Sequence, residues 1–110
     1  MTELKTYLMR IQPTRTQMLV QGTQEEAEHV TAHFYRLKEL TEQGIVLHAG
    51  RTTNSDRSSF GIVIFRAEND EAARAFVATD PAVANGVMKA ELFPYGVALM
   101  AAPQSTDTTT

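Results

Sequence analysis

The chain has no cysteine. That excludes a disulfide framework, thiolate chemistry and cysteine zinc sites. No apolar run approaches the roughly 18 residues a membrane span needs. Met1-Thr2-Glu3-Leu4-Lys5 carries no basic stretch followed by an apolar one, so no secretory signal is expected. Basic charge is scarce: Lys and Arg number 10 against 13 Asp and Glu, a formal net charge of −3. A surface of this kind has no footprint for neutralising phosphates, which argues against nucleic acid as a partner. The glycines, at 22, 44, 50, 61, 86 and 96, are scattered and build no phosphate loop. No serine sits in a strained nucleophile elbow. These absences predict a cytoplasmic protein without membrane or nucleic-acid contacts.

What is present is an ordinary globular composition, 43% hydrophobic and 21% charged over 110 residues. That is the size of one domain, expected over residues 1–102. The Thr-rich stretch Pro103 to Thr110 has nothing to bury and reads as a disordered tail. Tyr7-Leu8-Met9-Arg10-Ile11 reads as a strand, followed by a polar loop over residues 12–22. Thr23-Gln24-Glu25-Glu26 fits a capping box, in which the Thr hydroxyl and the Glu carboxylate each satisfy one free backbone N–H. Ala27, Val30, Phe34, Leu37 and Thr41 then recur at helical spacing up to Gly44, a natural stop. Ile45 to Gly50 reads as a second strand. Phe60 to Ala67 reads as a third, apolar on both faces. Asn69 caps a second helix with Asp70 and Glu71 in its first turn. Asp80-Pro81 ends that helix, and a short helical turn follows to Val87. Ala90 to Leu99 reads as a last strand, bent or on an edge because of Pro94.

The order β-α-β-β-α-β is that of the ferredoxin-like α+β fold: an antiparallel sheet with both helices on one face. The third strand then needs cover on its other face. A second copy packed sheet to sheet supplies it, so a homodimer is expected.

Few residues could carry chemistry. With Val30, Phe34 and Leu37 centring the buried stripe, His33 lies on its flank, where an imidazole can face a cleft with a charge open to adjustment. The plainer alternative is a boundary histidine bonded to a carbonyl. Asp80 closes the second helix. Because the two helices share one sheet face, its carboxylate could reach the middle of the first helix and orient His33. Alternatively it caps the turn after it, as Asp before Pro often does. His29 and His33 are four apart, but no third ligand is evident and no metal is expected. His48 reads as an edge or interface residue. Arg51, after Ala49-Gly50, and Arg10, on the first strand, could hold an anionic substrate group, although a surface ion pair is the commoner outcome.

His33-Phe34-Tyr35-Arg36-Leu37-Lys38-Glu39-Leu40, Gly44 and Leu47-His48-Ala49-Gly50-Arg51-Thr52 together resemble the front half of a YCII-related (YciI-like) domain. Phe60 to Phe65, Asp80-Pro81-Ala82-Val83, Gly86-Val87-Met88 and Ala90 to Tyr95 resemble the rest of it. The likeness covers about residues 5 to 99. It implies a dimeric α+β barrel with a His–Asp pair in a pocket as its active site, here His33 and Asp80. Members with a known activity include a dehydrochlorinase acting on a chlorinated hydroxyhydroquinone. The chain departs from the family at Arg51, where many members have Pro. It departs again at Val30, Thr31 and Ala32, in the stretch where an arginine often precedes the family histidine. The resulting expectation is a small enzyme needing no cofactor, of lyase or isomerase type, that moves a proton on a small aromatic or enolisable substrate. The alternative is a metabolite-binding or regulatory module using the same pocket.

Overall fold

The computed structural model describes residues 3–102. The expected tail at Pro103 to Thr110 lies outside that range. Four strands form one antiparallel sheet: β1 (Lys5–Pro13), β2 (Val46–Arg51), β3 (Gly61–Ala67) and β4 (Met88–Pro94), in the spatial order β2-β3-β1-β4. Four helices connect them: α1 (Met18–Gln21), α2 (Gln24–Glu42), α3 (Asp70–Ala78) and α4 (Pro81–Ala84). This is the ferredoxin-like α+β fold.

Helix boundaries follow from local chemistry. Thr23 and Glu26 make both halves of the capping box, with the Thr23 Oγ1 accepting from the Glu26 N–H at 3.1 Å and the Glu26 carboxylate accepting from the Thr23 N–H at 2.8 Å. At the other end Gly44 adopts φ +77°, so that its N–H reaches Thr41 O and the Ile45 N–H reaches Leu40 O. This pairing satisfies two carbonyls that a helix end leaves free. Gly86 (φ +73°) ends α4 in the same way, with the Val87 N–H on Ala82 O.

Strand alternation sorts the sheet. Tyr7, Met9 and Ile11 of β1 and Val63 and Phe65 of β3 face the helices and are buried with Val46, Leu37 and Ala73. An aromatic ladder runs through this core: Tyr7 stacks on Phe65 at 5.8 Å, and Phe65 on Phe76 at 3.9 Å. The Tyr7 hydroxyl donates to Asp70 Oδ1 at 2.7 Å, so the one polar end of the ladder is satisfied. The opposite face carries Leu8, Arg10, Ile62, Ile64, His48 and Phe93, as the register pairs require.

Three expectations need correcting. The helical stripe of α2 is turned from its expected centre: His33 and Leu37 are its buried residues, whereas Phe34 is 57% exposed. The bulk of Phe34 suggested the wrong centre. Glu26, Val30, His33, Leu37 and Leu40 all lie within one narrow arc at 100° per residue, and that arc meets the sheet. The last strand covers Met88–Pro94 rather than Ala90 to Leu99. Pro94 offers no N–H, and after a single bond from the Tyr95 N–H to Thr6 O the chain leaves the edge. The loop over residues 12–22 is shorter than expected, because β1 runs on to Pro13 and Met18 to Gln21 form a turn of helix.

The strap between β1 and α2 is tied down by Arg15. Its Nε donates to Glu26 Oε2 at 2.9 Å and its Nη2 to Oε1 at 2.7 Å, a two-pronged contact. Arg15, then the Thr23 N–H, hold the Glu26 carboxyl down to about 2 against an ordinary 4.5. A depressed folded value stabilises the fold fully above the unfolded value, and this stabilisation is lost as pH falls through the folded one. Thermal melts of the wild type and Glu26→Gln should therefore differ at neutral pH, converge between pH 4.5 and 2, and coincide below that. A gap of constant size down to acid pH would contradict the account.

Candidate active site

The buried polar side chains are His33, Ser59 and Asp80. Two of these meet. His33 sits mid-way along α2 on the sheet side. Asp80 is the N-cap of α4, in extended conformation (φ −63°, ψ 129°), with Pro81 pre-set at the first helical position. The two oxygens of Asp80 divide the work. Oδ1 accepts from the Ala82 N–H at 2.9 Å and, more weakly, from the Val83 N–H at 3.4 Å. Oδ2 lies 2.7 Å from His33 Nδ1, across 47 residues of sequence. The capping role and the orienting role, alternatives in the sequence, coexist in one carboxylate.

Asp80 is wholly buried. Burial alone would push its carboxyl up. The hydrogen bond and charge of His33, with the Ala82 and Val83 N–H groups, outweigh burial and hold it below the usual carboxylate range. An ionised Asp80 accepts only, so His33 Nδ1 carries the proton in this contact. Nε2 then holds the lone pair of a neutral imidazole. Among the described residues it has no hydrogen-bond partner, and it is absent from the nitrogens and oxygens that are both sealed and unpaired. The ring is 10% exposed. An imidazole fixed at one nitrogen and free at the other can accept or return a proton at the free one.

Arg36 is the residue that sequence reasoning missed. It lies three positions after His33 on the same side of α2. Its Nη1 is 3.5 Å from Asp80 Oδ2, its Nη2 donates to Thr79 Oγ1 at 3.0 Å, and its guanidinium lies over the Phe76 ring at 4.6 Å. The i,i+3 spacing was the available signal.

Arg10 and Arg51, expected to hold an anionic substrate group, lie on strands β1 and β2. Arg10 is on the sheet face away from the helices, paired with Glu91 at 2.8 Å and lying over Phe60 at 4.9 Å. The period of two explains this: Met9 and Ile11 take the helix side, so Arg10 cannot. Arg51 is exposed at the end of β2 opposite Gly61, and among the described residues it forms no ion pair. His48 is exposed on the edge strand β2, in register with Ile64. His29 faces Glu25 at 3.8 Å, and no group of three or more His, Asp or Glu side chains among the described residues could hold a metal.

Two hollows lie away from the pair. One hollow of about 330 Å³ is lined by residues including Gln12, Thr16, Arg57 and Lys89. Another of about 400 Å³ lies over the open sheet face, between Ile64 and the segment from Tyr95 to Ala101. Neither includes His33 or Asp80. α4 packs against α2 beside this ring.

Comparison with known proteins agrees with this fold. The solved 5-chloro-2-hydroxyhydroquinone dehydrochlorinase TftG of Burkholderia phenoliruptrix AC1100, in complex with 2,5-dihydroxybenzoquinone, superposes with a TM-score of 0.59. It is 20% identical, over 82% of this chain and 93% of its own. No curated protein sequence matches. The YCII-related domain matches residues 6–94, spanning all four strands and the helices that hold His33 and Asp80; the chain belongs to that family.

Proposed function

We propose that the chain is a small acid–base enzyme in which His33 Nε2 moves a proton on a small substrate, with Asp80 fixing the ring through Nδ1. The observation that carries this reading is the 2.7 Å contact between two buried titratable groups, with the second ring nitrogen unpartnered. Proton transfer of this sort needs no cofactor, and it suits elimination or isomerisation on an aromatic or enolisable molecule. The solved dehydrochlorinase supplies the first compound to try, because its fold is shared. A second reading, in which the pair only binds a metabolite, draws on the same small exposure of the imidazole.

We further propose that the protein works as a homodimer joined through its open sheet faces. Leu8 and Ile62, both half-buried, and Phe93, 44% exposed, leave an apolar surface on the side without helices. No helix among the described residues is long and apolar enough to cross a membrane, so a membrane-spanning helix does not account for that surface. Sedimentation at micromolar concentration should find twice the 12.2 kDa chain mass. A stable monomer would contradict the dimer.

Turnover is tested with 5-chloro-2-hydroxyhydroquinone and related hydroxylated, halogenated rings, following halide release. His33→Ala should lower the rate about 10²- to 10⁴-fold. Full turnover in that variant would overturn the enzyme reading. Recovery of a bound compound unchanged after long incubation would favour binding alone. Stability reads separately. Asp80→Ala removes one member of a buried pair and should cost about 3–5 kcal/mol in urea unfolding. Asp80→Asn, which keeps an oxygen for Ala82, should cost less. Equal costs for the two would contradict the capping role of Oδ1.

A further inference from the structure

Arg36 presents an arrangement that helix packing alone does not require. Its Nη1 is buried and is the described side-chain nitrogen or oxygen that is both sealed and without a hydrogen-bond partner. A buried N–H with no acceptor is costly and needs a reason. The nearest anion is Asp80 Oδ2 at 3.5 Å, too far or too poorly aimed for a hydrogen bond, and that oxygen is already taken by His33 Nδ1. The guanidinium is held there by two other contacts. Phe76 supports its flat face at 4.6 Å, and Phe76 is itself stacked on Phe65 in the core. Thr79 Oγ1 accepts from Nη2 at 3.0 Å while donating to Ala75 O at 2.7 Å. The cation is thus fixed by the end of α3 and the aromatic ladder, and it stands beside Asp80 as a charge.

We propose that Arg36 is a positioning residue for the His33–Asp80 pair: it keeps the Asp80 carboxylate charged whether or not the imidazole is, so a proton entering the pair stays on His33. This rests on the reading of His33 as the proton-moving group. A histidine–carboxylate pair isolated from water faces a difficulty each time the imidazole gives up its proton. The carboxylate is then left as a buried charge with no cationic histidine beside it, and being protonated itself would relieve it. A permanent cation within 4 Å removes that incentive, because guanidinium does not deprotonate at any working pH. The unpartnered Nη1–H fits this role, standing ready to bond Oδ2 if the imidazole turns away. The groups facing Asp80 are few. From α2 come His33 and Arg36. From α4 come the Ala82 and Val83 N–H groups, and the end of α3 contributes the Thr79 hydroxyl, which contacts Arg36. Among the described residues no side chain of the sheet bonds or pairs with the carboxylate. Arg36 is therefore the one fixed cation in contact with it.

The test is the titration of the Asp80 carboxyl carbon by ¹³C NMR on the full chain, in wild type, Arg36→Gln and Arg36→Lys. Amide spectra check the fold. The wild-type carbon should keep its carboxylate shift below the ordinary aspartate range. In Arg36→Gln the midpoint should rise by about 1–3 pH units, the size of a neighbouring opposite charge. Arg36→Lys, which restores charge without the planar fork, should recover part of that rise. A merely structural arginine would affect melting temperature and leave the midpoint in place. An unchanged midpoint in a folded Arg36→Gln overturns the proposal. So does a folded Arg36→Lys that shifts as far as Gln, since charge would then not be the cause. Loss of fold in both variants also overturns it, by making the residue a packing element. None of these readouts uses turnover, so they stand apart from the fate of His33→Ala.

Discussion

One buried hydrogen bond, from the His33 imidazole to the Asp80 carboxylate, organises the helical layer of this protein. It joins the middle of the longest helix to the cap of the four-residue α4. Both groups could ionise, and neither could be buried alone at acceptable cost. Each is there because the other is, and because α4 offers two backbone N–H groups to the carboxylate. The bond therefore depends on the chain turning at Asp80-Pro81 rather than continuing α3. The Pro81 ring makes that turn the natural outcome. Replacing this turn by a longer α3 would remove the cap, the orienter and the partner of Arg36 together.

Beneath that bond lies a packing ladder that fixes its electrostatics. Tyr7, Phe65 and Phe76 stack from the first strand outward, and Arg36 lies on the last ring. A guanidinium tolerates such a seat because its flat face is weakly hydrated. Core packing and site charge are thus coupled through Phe76: the same ring fills space against the sheet and sets where a cation stands relative to Asp80. A change in the core can reach the imidazole by this route without touching it.

Much of the fold was legible in the chain. The capping box at Thr23, the stop at Gly44 and the apolar run from Phe60 are local signals that tertiary packing had no cause to override. His33 and Asp80 were legible as residue types at suitable places. Their meeting needed the fold order as well, since 47 residues separate them. Other features were not legible. The rotation of α2 escaped because Phe34 looks like a core residue, and hydrophobicity alone does not say which of two adjacent arcs meets the sheet. The face that Arg10 takes follows from strand alternation with Met9 and Ile11. Arg36 escaped because a basic residue on a helix usually means solvent, and only the aromatic seat at Phe76 reveals otherwise.

The most direct test of the account is the ¹⁵N NMR spectrum of the neutral His33 imidazole in the intact protein, because the argument requires one tautomer. The account predicts a protonated, pyrrole-like Nδ1 bonded to Asp80 and an unprotonated, pyridine-like Nε2. A ring that carries its proton on Nε2, or exchanges freely between the two forms, would contradict it.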